Sequence, residues 1–267
     1  IELDADIVKT RSVTWNMYAN ATFLKNKILE LSPELEGQWI SGSYIYKEGE
    51  SMYNFYLRET AGVDELTGDP LWYMDIVDGE GNVTGRETTN NWSKGTRYEQ
   101  GDILPKVYGG FGTSLEAYGF DFSLEFAYQM GGRILDNSYM TLMHSGYSSD
   151  AGRNWHADIL NAWTPENTKT DVPRLNVANQ YSNATSDRFL ISSDYLSLQN
   201  ITFGYTLPKR LLEKIKIEKL RVFGVADNVA LFTARQGLDP RQSYTVAYSG
   251  SLYAPIRSIS GGLNITF

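Results

Sequence analysis

Residues 119–130 alternate strictly between apolar and polar side chains, and no other stretch constrains the fold of this chain as much. The even positions hold Phe120, Phe122, Leu124, Phe126, Tyr128 and Met130, and the odd positions include Asp121, Ser123, Glu125 and Gln129. Successive side chains of a β-strand point to opposite faces, so the pattern predicts a strand with one apolar and one polar face. A strand crosses a lipid bilayer in about nine to eleven tilted residues, which this stretch supplies.

Similar alternation, in places weaker, predicts a total of seven strands. They are expected near residues 1–9, 13–24, 106–116, 119–130, 195–207, 219–232 and 257–267. In the fifth, the apolar parity shifts near Asn200, which predicts either a β-bulge or an upper half of the strand that projects beyond the membrane. In the sixth, Arg221 and Asp227 share one face, and these charges assign that face to the interior of the fold.

The connections between these strands are alternately short and long. The long ones run over residues 24–105, 131–194 and 233–256, and they are rich in polar residues. Outer-membrane barrels have short periplasmic turns and long external loops. The sequence therefore predicts an all-β fold, a transmembrane antiparallel β-barrel with long extracellular loops. Because such barrels usually have an even number of strands, we expect these seven to be part of a larger barrel.

Composition and residue types argue against several other classes. The net charge of −8 disfavours a nucleic-acid-binding protein, which needs a basic face for phosphates. The sequence has no cysteine, which excludes disulfides, zinc–thiolate sites and a cysteine nucleophile. Both histidines, His144 and His156, fall in one long loop, so an outer-membrane lipase or protease is disfavoured. We expect no enzyme activity, no cofactor and no metal site.

One acidic stretch, residues 75–82, invites a calcium interpretation. Its spacing departs from that of a calcium-binding EF-hand loop, which places acids or amides at alternate positions before a glycine. The sequence Asp78-Gly79-Glu80-Gly81-Asn82 instead predicts a hairpin turn.

Several stretches, taken in order, resemble the C-terminal region of SusC-like (SusC/RagA) TonB-dependent outer-membrane transporters. They are residues 61–64 with 67–69, 195–208, 220–223, 227–228, 237–240, 253–257 and 262–267. The sequence departs from the family pattern at Val229-Ala230-Leu231, which affects side chains on one strand. The resemblance implies a 22-stranded barrel, of which these would be the last seven strands. It also implies an N-terminal plug domain and a TonB box, which are not present in this chain.

The resemblance further implies a location in the Gram-negative outer membrane, surrounded by lipid and lipopolysaccharide. Its implied partners are a SusD-like surface lipoprotein and the TonB complex of the inner membrane. The implied function is active import of a large solute, first an oligosaccharide, with peptides as the alternative substrate. A passive porin and a soluble β-sandwich binding module remain as alternatives from other classes, and the latter predicts that protein covers Phe120, Phe122, Leu124 and Phe126.

Three groups of residues are candidates for functional contacts. Trp92, Tyr147, Trp155 and Trp163 lie in predicted outer loops and could contact substrate or lipoprotein, or else pack within the loops. Glu116, Asp121 and Glu125 are predicted to face the lumen, where they could contact the plug. Phe267, the last residue, resembles the terminal aromatic residue that serves as an assembly signal in barrels of this kind, and it could equally be a lipid anchor.

Overall fold

A computed structural model describes residues 1–213, 216–242 and 255–267. Residues 253–254, part of one stretch of the resemblance, and most of the second half of the third long connection lie outside the described residues. The strands, in chain order, are β1 (Glu2–Lys9), β2 (Val13–Phe23), β3 (Gln38–Ser41), β4 (Tyr44–Lys47), β5 (Asn54–Arg58), β6 (Thr60–Val63), β7 (Pro70–Val77), β8 (Val83–Thr89), β9 (Arg97–Asp102), β10 (Val107–Ala117), β11 (Phe120–Met130), β12 (Arg133–Leu135), β13 (Leu190–Ser192), β14 (Tyr195–Thr206), β15 (Lys219–Thr233) and β16 (Ser258–Thr266).

Helical structure is short wherever the chain is described. The α-helices are α1 (Asn137–Leu142) and α2 (Lys209–Leu212). Single 3₁₀ turns are formed by Pro33–Leu35, Trp92–Lys94, Ser148–Asp150, Ala157–Asn161, Asp187–Phe189 and Pro240–Gln242. Among the described residues, every helix is too short and too polar to cross a membrane.

Seven long strands form one antiparallel sheet in the order β1-β2-β10-β11-β14-β15-β16. They occupy the seven stretches in which the sequence alternates, and no bound differs from the expected one by more than one residue. Their register places apolar side chains opposite apolar ones, for example Phe122 opposite Phe203 and Leu115 opposite Trp15. One face of the sheet is therefore apolar across all seven strands, and the other face is polar.

The turn between β10 and β11 consists of Tyr118 and Gly119, one residue later than the sequence pattern suggested. Both residues have positive φ angles, 53° and 91°. Two consecutive residues with positive φ are typical of the tight hairpin turn whose twist matches that of paired strands. The turn therefore fixes the register in which Ala117 pairs with Phe120.

The predicted bulge lies in β14 at Gln199. The register of β14 shifts against both neighbours at this point, between Leu198 and Asn200. On the facing strand β15, Asn228 adopts a left-handed backbone conformation with φ of 51°. A residue inserted into one strand changes which face the following side chains occupy, and this accounts for the parity shift in the sequence.

The long connections are more structured than their sequence suggested. The seven predicted strands all lie outside these regions, and the regions themselves contain nine further strands among the described residues that the sequence pattern did not reveal. They form a four-stranded sheet (β3-β4-β5-β9), a three-stranded sheet (β6-β7-β8) and a two-stranded sheet (β12-β13). Most of these strands are too short to produce a recognisable alternation.

The first two long connections pack on each other around a common apolar core, and we call this unit the loop body. Its buried residues are Phe55, Leu57, Ile103, Leu135, Met143, Ala162, Val172, Phe189 and Leu190. Phe55 and Phe189 come from different connections, and both are almost completely buried. Apolar burial of this kind stabilises the loop body as a packed structure.

Candidate functional site

The polar face of the seven-stranded sheet carries the three predicted lumen residues. Glu116 on β10 lies directly opposite Asp121 on β11, so the two carboxyl groups share that face. Glu125, on the same face of β11, pairs with Gly112 on one side and Asn200 on the other. The structure therefore places all three on the polar face, whereas their contact with a plug domain remains a prediction.

Glu116 and Asp121 line a cavity of about 420 Å³ near the short turns of the sheet. The other charged residues of its lining are Arg11, Lys219 and Arg221. Both signs of charge therefore meet in one water-accessible recess. Such a recess can bind a polar chain segment that offers groups of both charges.

Asp121 forms a two-pronged ion pair with Arg221 of β15. Arg221 donates from Nε to Oδ1 at 2.9 Å and from Nη2 to the second carboxylate oxygen, Oδ2. The intervening strand β14 contributes Gly204 at this position. A Cβ atom on Gly204 would lie 2.5 Å from Oδ2 of Asp121, so the glycine leaves the room that the ion pair occupies. The sequence pattern placed Arg221 on the polar face of its strand, but it did not identify Asp121 as the partner.

A continuous row of polar residues crosses all seven strands at the level of Glu125. The pairs run through Asp4, Tyr18, Gly112, Glu125, Asn200, Asp227 and Ser258. The ring of Tyr18 covers Gly112, where a Cβ atom would lie 2.6 Å from the ring. Asn200 donates from Nδ2 to Asp227 Oδ1 at 2.7 Å. The row gives the middle of the polar face an excess of carboxylates.

Trp92 is fixed within the loop body. Its indole N–H donates to the carbonyl of Thr185 at 3.2 Å, a contact between the two long connections. Its ring stacks on Tyr181 with 5.6 Å between ring centroids, and the guanidinium of Arg58 lies 3.8 Å from its centroid. Trp92 thus joins the two connections, as the loop-packing alternative predicts.

Trp163 covers the loop formed by residues 61–69, one of the stretches that carry the family resemblance. Asp64 accepts hydrogen bonds from the backbone N–H groups of Leu66 and Thr67, which closes the turn. Trp163 donates from Nε1 to the carbonyl of Glu65 at 3.1 Å. Its ring packs so closely on Gly68 that a Cβ atom there would lie 2.5 Å from it. The stretch is therefore a tight turn clamped by the second connection.

Trp155 is the most accessible of the predicted loop tryptophans. Its Nε1 donates to the carbonyl of His144 at 2.8 Å, and its ring stacks on the buried imidazole of His144. It nevertheless remains 49% exposed. Tyr147 precedes the 3₁₀ turn Ser148–Asp150 and accepts the N–H of Asp150 at its carbonyl. The tryptophans contact different partners, so they are not assembled into one aromatic platform.

Three stretches of the resemblance meet at Arg241, a residue that no sequence pattern singled out. Arg241 donates from Nε and Nη2 to the two carboxylate oxygens of Asp239, at 2.8 and 2.6 Å. Its Nη1 donates to Ser197 Oγ at 3.0 Å and to Asn228 Oδ1 at 3.1 Å. Asp239, Asn228 and Ser197 belong to three separate motifs. This contact ties the start of the third long connection to the bulged region of the sheet.

Arg235 provides a second attachment of the third connection, this time to the loop body. Its Nε lies 3.0 Å from Asp136 Oδ2, and its guanidinium stacks on Tyr139 at 3.5 Å from the ring centroid. Tyr139 donates its hydroxyl hydrogen to Asp158 at 2.8 Å. Burial is the main cause of a raised pKa of Tyr139, and the hydrogen bond that its hydroxyl donates to Asp158 raises the pKa further.

The acidic stretch of residues 75–82 forms the predicted hairpin turn between β7 and β8. Asp78 accepts hydrogen bonds from the backbone N–H groups of Glu80 and Asn82, both at 2.9 Å. These bonds, with those from the Asn82 side chain, lower the pKa of Asp78. The described residues contain no group of three or more acidic, histidine or cysteine side chains arranged to hold a metal ion.

Phe267 follows the end of β16 and is 87% exposed. Such exposure is compatible with either a lipid contact or recognition by other proteins. Its role as an assembly signal remains a prediction.

Comparison with known proteins gives relatives over nearly the whole chain. No family model matches the sequence. TonB-dependent receptor P3 of Formosa agariphila is 29% identical over 97% of this chain, and TonB-dependent receptor P39 of the same organism is 24% identical over 100% of it. The chain spans only 27% and 30% of the lengths of these two curated relatives.

Solved structures with the same fold cover the whole chain. The RagAB peptide importer in its closed-closed state superimposes with a TM-score of 0.83 at 26% identity, and this chain matches 29% of the length of that chain. The open-open state of the same importer gives a TM-score of 0.82 at 26% identity and covers 28% of that chain. These similarities agree with the motifs and with the barrel-type sheet.

Proposed function

We propose that this chain belongs to the SusC-like TonB-dependent transporters of the outer membrane and that the complete protein imports a large solute with energy from the TonB complex. The observation that supports this most is the seven-stranded sheet itself. Its apolar face suits lipid, its polar face suits a filled or aqueous lumen, and its long connections are all at one end. The named relatives are receptors and the solved neighbours are transporters.

We propose an oligosaccharide as the first substrate class, with Trp155 as its candidate contact. An exposed indole held by a ring stack and a hydrogen bond offers a preformed surface for a sugar ring. Peptides are the second candidate. They are favoured by the similarity to a peptide importer and because Trp92 and Trp163 are engaged in loop packing.

The proposal includes two protein partners and a plug. A SusD-like surface lipoprotein would contact the loop body, and candidate contacts are Tyr147 and Trp155. The plug of the complete protein would fill the lumen and contact Glu116, Asp121 and Glu125. The cavity beside Glu116 and Asp121, with its charges of both signs, supports a polar plug segment at this position.

Uptake by cells that express the full-length protein tests the proposal. Fluorescent oligosaccharides and peptides of matched mass are supplied to cells with and without TonB. We expect uptake of one class, and we expect it to be lost without TonB. Uptake that persists without TonB would mean a passive pore, and uptake of peptides alone would rule out the oligosaccharide proposal.

Two substitutions sharpen the test. If the substrate is an oligosaccharide, Trp155→Ala is expected to reduce uptake about tenfold, since aromatic stacking contributes of the order of 1 kcal/mol or more. Leu160→Ala, at another exposed loop position, is the matched control and should have little effect. Equal uptake by both variants would remove Trp155 from the proposed contact.

A further inference from the structure

Arg58 and Arg97 lie directly opposite each other in the loop body, where the end of β5 pairs with the start of β9, and we call them the arginine pair. Directly opposed residues of an antiparallel pair point to the same face of the sheet, with Cβ atoms about 5 Å apart. Two like charges at such positions repel each other and lower stability. An anion bound to both guanidinium groups would offset this repulsion.

The carboxylates nearest to the arginine pair in sequence are engaged elsewhere. Glu59 lies 2.6 Å from the guanidinium of Arg86. Glu99 accepts from Nζ of Lys47, also at 2.6 Å. Across the described part of the chain, neither member of the arginine pair forms an ion pair with a carboxylate.

This lack of a carboxylate partner contrasts with the other arginines of the chain. The sequence has 32 acidic and 24 basic residues, so acidic partners are in excess. Several arginines do have a carboxylate partner, namely Arg86, Arg153, Arg174, Arg221, Arg235 and Arg241. The arginine pair therefore concentrates positive charge without a matching negative charge from the described residues.

The arginine pair also keeps unused hydrogen-bond donors. Arg58 donates from Nη2 to the carbonyl of Ser93 at 3.4 Å, and Arg97 donates from Nη1 to the carbonyl of Gly42 at 3.0 Å. Nε of Arg58 is buried and has no hydrogen-bond partner among the residues that the structure describes. A guanidinium is a planar fork of N–H donors that matches the two oxygens of a carboxylate.

Trp92 holds the guanidinium of Arg58 in position. Cζ of Arg58 lies 3.8 Å from the centroid of the indole ring, which also stacks on Tyr181. A side chain that is fixed before binding loses less conformational entropy when a ligand binds, and this favours affinity. Both members of the arginine pair are partly exposed, so a solute can reach them from outside the loop body.

We propose that the arginine pair binds a carboxylate group of the imported solute, so that the complete protein imports acidic solutes. The inference rests on the proposed import function and narrows its substrate to solutes that carry carboxylates. Oligosaccharides supply such groups as uronic acid units, and peptides supply them as aspartate and glutamate side chains. One carboxylate accepts hydrogen bonds from both guanidinium groups, and its negative charge offsets the repulsion between them.

Isothermal titration calorimetry of the purified full-length protein in detergent tests this inference. The first two probes are hexagalacturonate and its fully methyl-esterified, uncharged form. The other two are a glutamate-rich hexapeptide and the same peptide with glutamine in place of glutamate. We expect at least one acidic probe to bind about tenfold more tightly than its neutral counterpart, since charge-assisted hydrogen bonds are the stronger ones. The acidic probe that binds identifies the source of the carboxylate.

Two substitutions locate the effect. Arg97→Gln keeps an N–H donor for the Gly42 carbonyl but removes one charge of the arginine pair. It should weaken binding of the acidic probe about tenfold. Its melting temperature should not fall, because the substitution also removes the repulsion from Arg58. Lys169→Gln removes one positive charge from another exposed position of the loop body and is the matched control, which should bind as the unmodified protein does.

Equal binding of the acidic and neutral probes, or equal losses in Arg97→Gln and Lys169→Gln, would overturn the inference. A lower melting temperature of Arg97→Gln would contradict the repulsion on which it depends. Weaker binding of the surface lipoprotein by Arg97→Gln, with unchanged solute binding, would overturn it and assign the arginine pair to that partner. TonB-dependent uptake of neutral solutes alone would leave the import function standing while this inference fails, so the two failures are distinguishable.

Discussion

Asp121 and Arg221 form their ion pair across an intervening strand, a reach that depends on the absence of a side chain at Gly204. Arg221 Nε and Asp121 Oδ1 are 2.9 Å apart, and the two residues lie on β15 and β11. Direct cross-strand pairs join adjacent strands. This pair instead spans three strands, and it couples their register near the short turns.

The first prediction concerns the space that Gly204 leaves for the ion pair between Asp121 and Arg221. Gly204→Ala should displace the ion pair, because the new Cβ atom would approach Asp121 Oδ2 to 2.5 Å. We expect a loss of about 1–3 kcal/mol in stability, from the strain and the disrupted hydrogen bonds. Urea unfolding in detergent measures it. Gly224→Ala on β15 is the control, since the nearest atom to its Cβ is 3.9 Å away. Equal effects of both substitutions would contradict the account.

The second prediction concerns the clamp of Trp163 on residues 61–69. Gly68 has a φ angle of 73° and lies against the indole ring. Gly68→Ala should therefore suffer both a strained backbone and a steric clash, and should open this turn to protease. Gly152→Ala shares a positive φ, 82°, but has no atom within 4 Å of its Cβ. We expect Gly68→Ala to cost about 1–3 kcal/mol more than this control. Equal rates of protease cleavage in Gly68→Ala and Gly152→Ala would show that Trp163 moves aside and the clash does not destabilise the turn.

The third prediction concerns pH. Burial raises the pKa of Asp187, which accepts the backbone N–H of Thr60 at 2.7 Å. A carboxyl whose pKa is higher in the folded state stabilises the fold below its unfolded pKa, and this contribution is lost as the pH rises through the folded pKa. The free energy of unfolding should therefore fall as the pH increases across that range, and urea unfolding in detergent at a series of pH values measures it.

Asp187→Asn should remove this pH dependence while keeping an oxygen to accept the Thr60 N–H. Asp78→Asn is a control in which the pH dependence of stability has the opposite direction. The hydrogen bonds to Asp78 lower its pKa, so its contribution is present at higher pH and is lost as the pH falls through the folded pKa. An unchanged pH profile in Asp187→Asn would mean that another group is responsible.

The fourth prediction separates the two faces of β11. Leu124 lies on the apolar face and Ser123 on the polar face, near the middle of the strand. Leu124→Arg should destabilise the membrane-inserted protein by about 2–4 kcal/mol, the cost of an arginine facing the bilayer midplane. Ser123→Arg should cost much less because it faces the lumen. Unfolding from lipid vesicles measures both, and similar losses would argue against lipid on the apolar face.

The sequence was most informative where structure repeats with a period of two. Residues 119–130 and their counterparts predicted the seven-stranded sheet, and the parity shift at Asn200 predicted the bulge at Gln199. These features are visible in the sequence because successive side chains of a strand point to opposite faces. The loop body could not be predicted in this way. Its core joins residues as distant as Phe55 and Phe189, and strands of three to five residues such as β12 and β5 carry too few positions to reveal a period.

The candidate functional residues also fall into those that local alternation predicts and those that depend on long-range packing. The placement of Glu116, Asp121 and Glu125 on the polar face follows from alternation alone. The contacts of Trp92 and Trp163 depend on how two connections pack, and those of Arg241 depend on a loop that returns to the sheet. Charge at Arg221 was visible in the sequence, but its partner is 100 residues away, and only the strand order brings the two together.

The meeting of Ser197, Asn228 and Asp239 at Arg241 has a consequence for building hybrids between relatives. The guanidinium offers a fixed fork of donors, and each of the three acceptors takes part of it. A hybrid that takes only the outer loop, with Asp239 and Arg241, from this chain would carry another relative's residues at positions 197 and 228. Arg241 would then lack the acceptors that Ser197 and Asn228 supply here. Grafts that exchange all four positions as one unit should assemble, whereas grafts that split them should fail at the root of the loop.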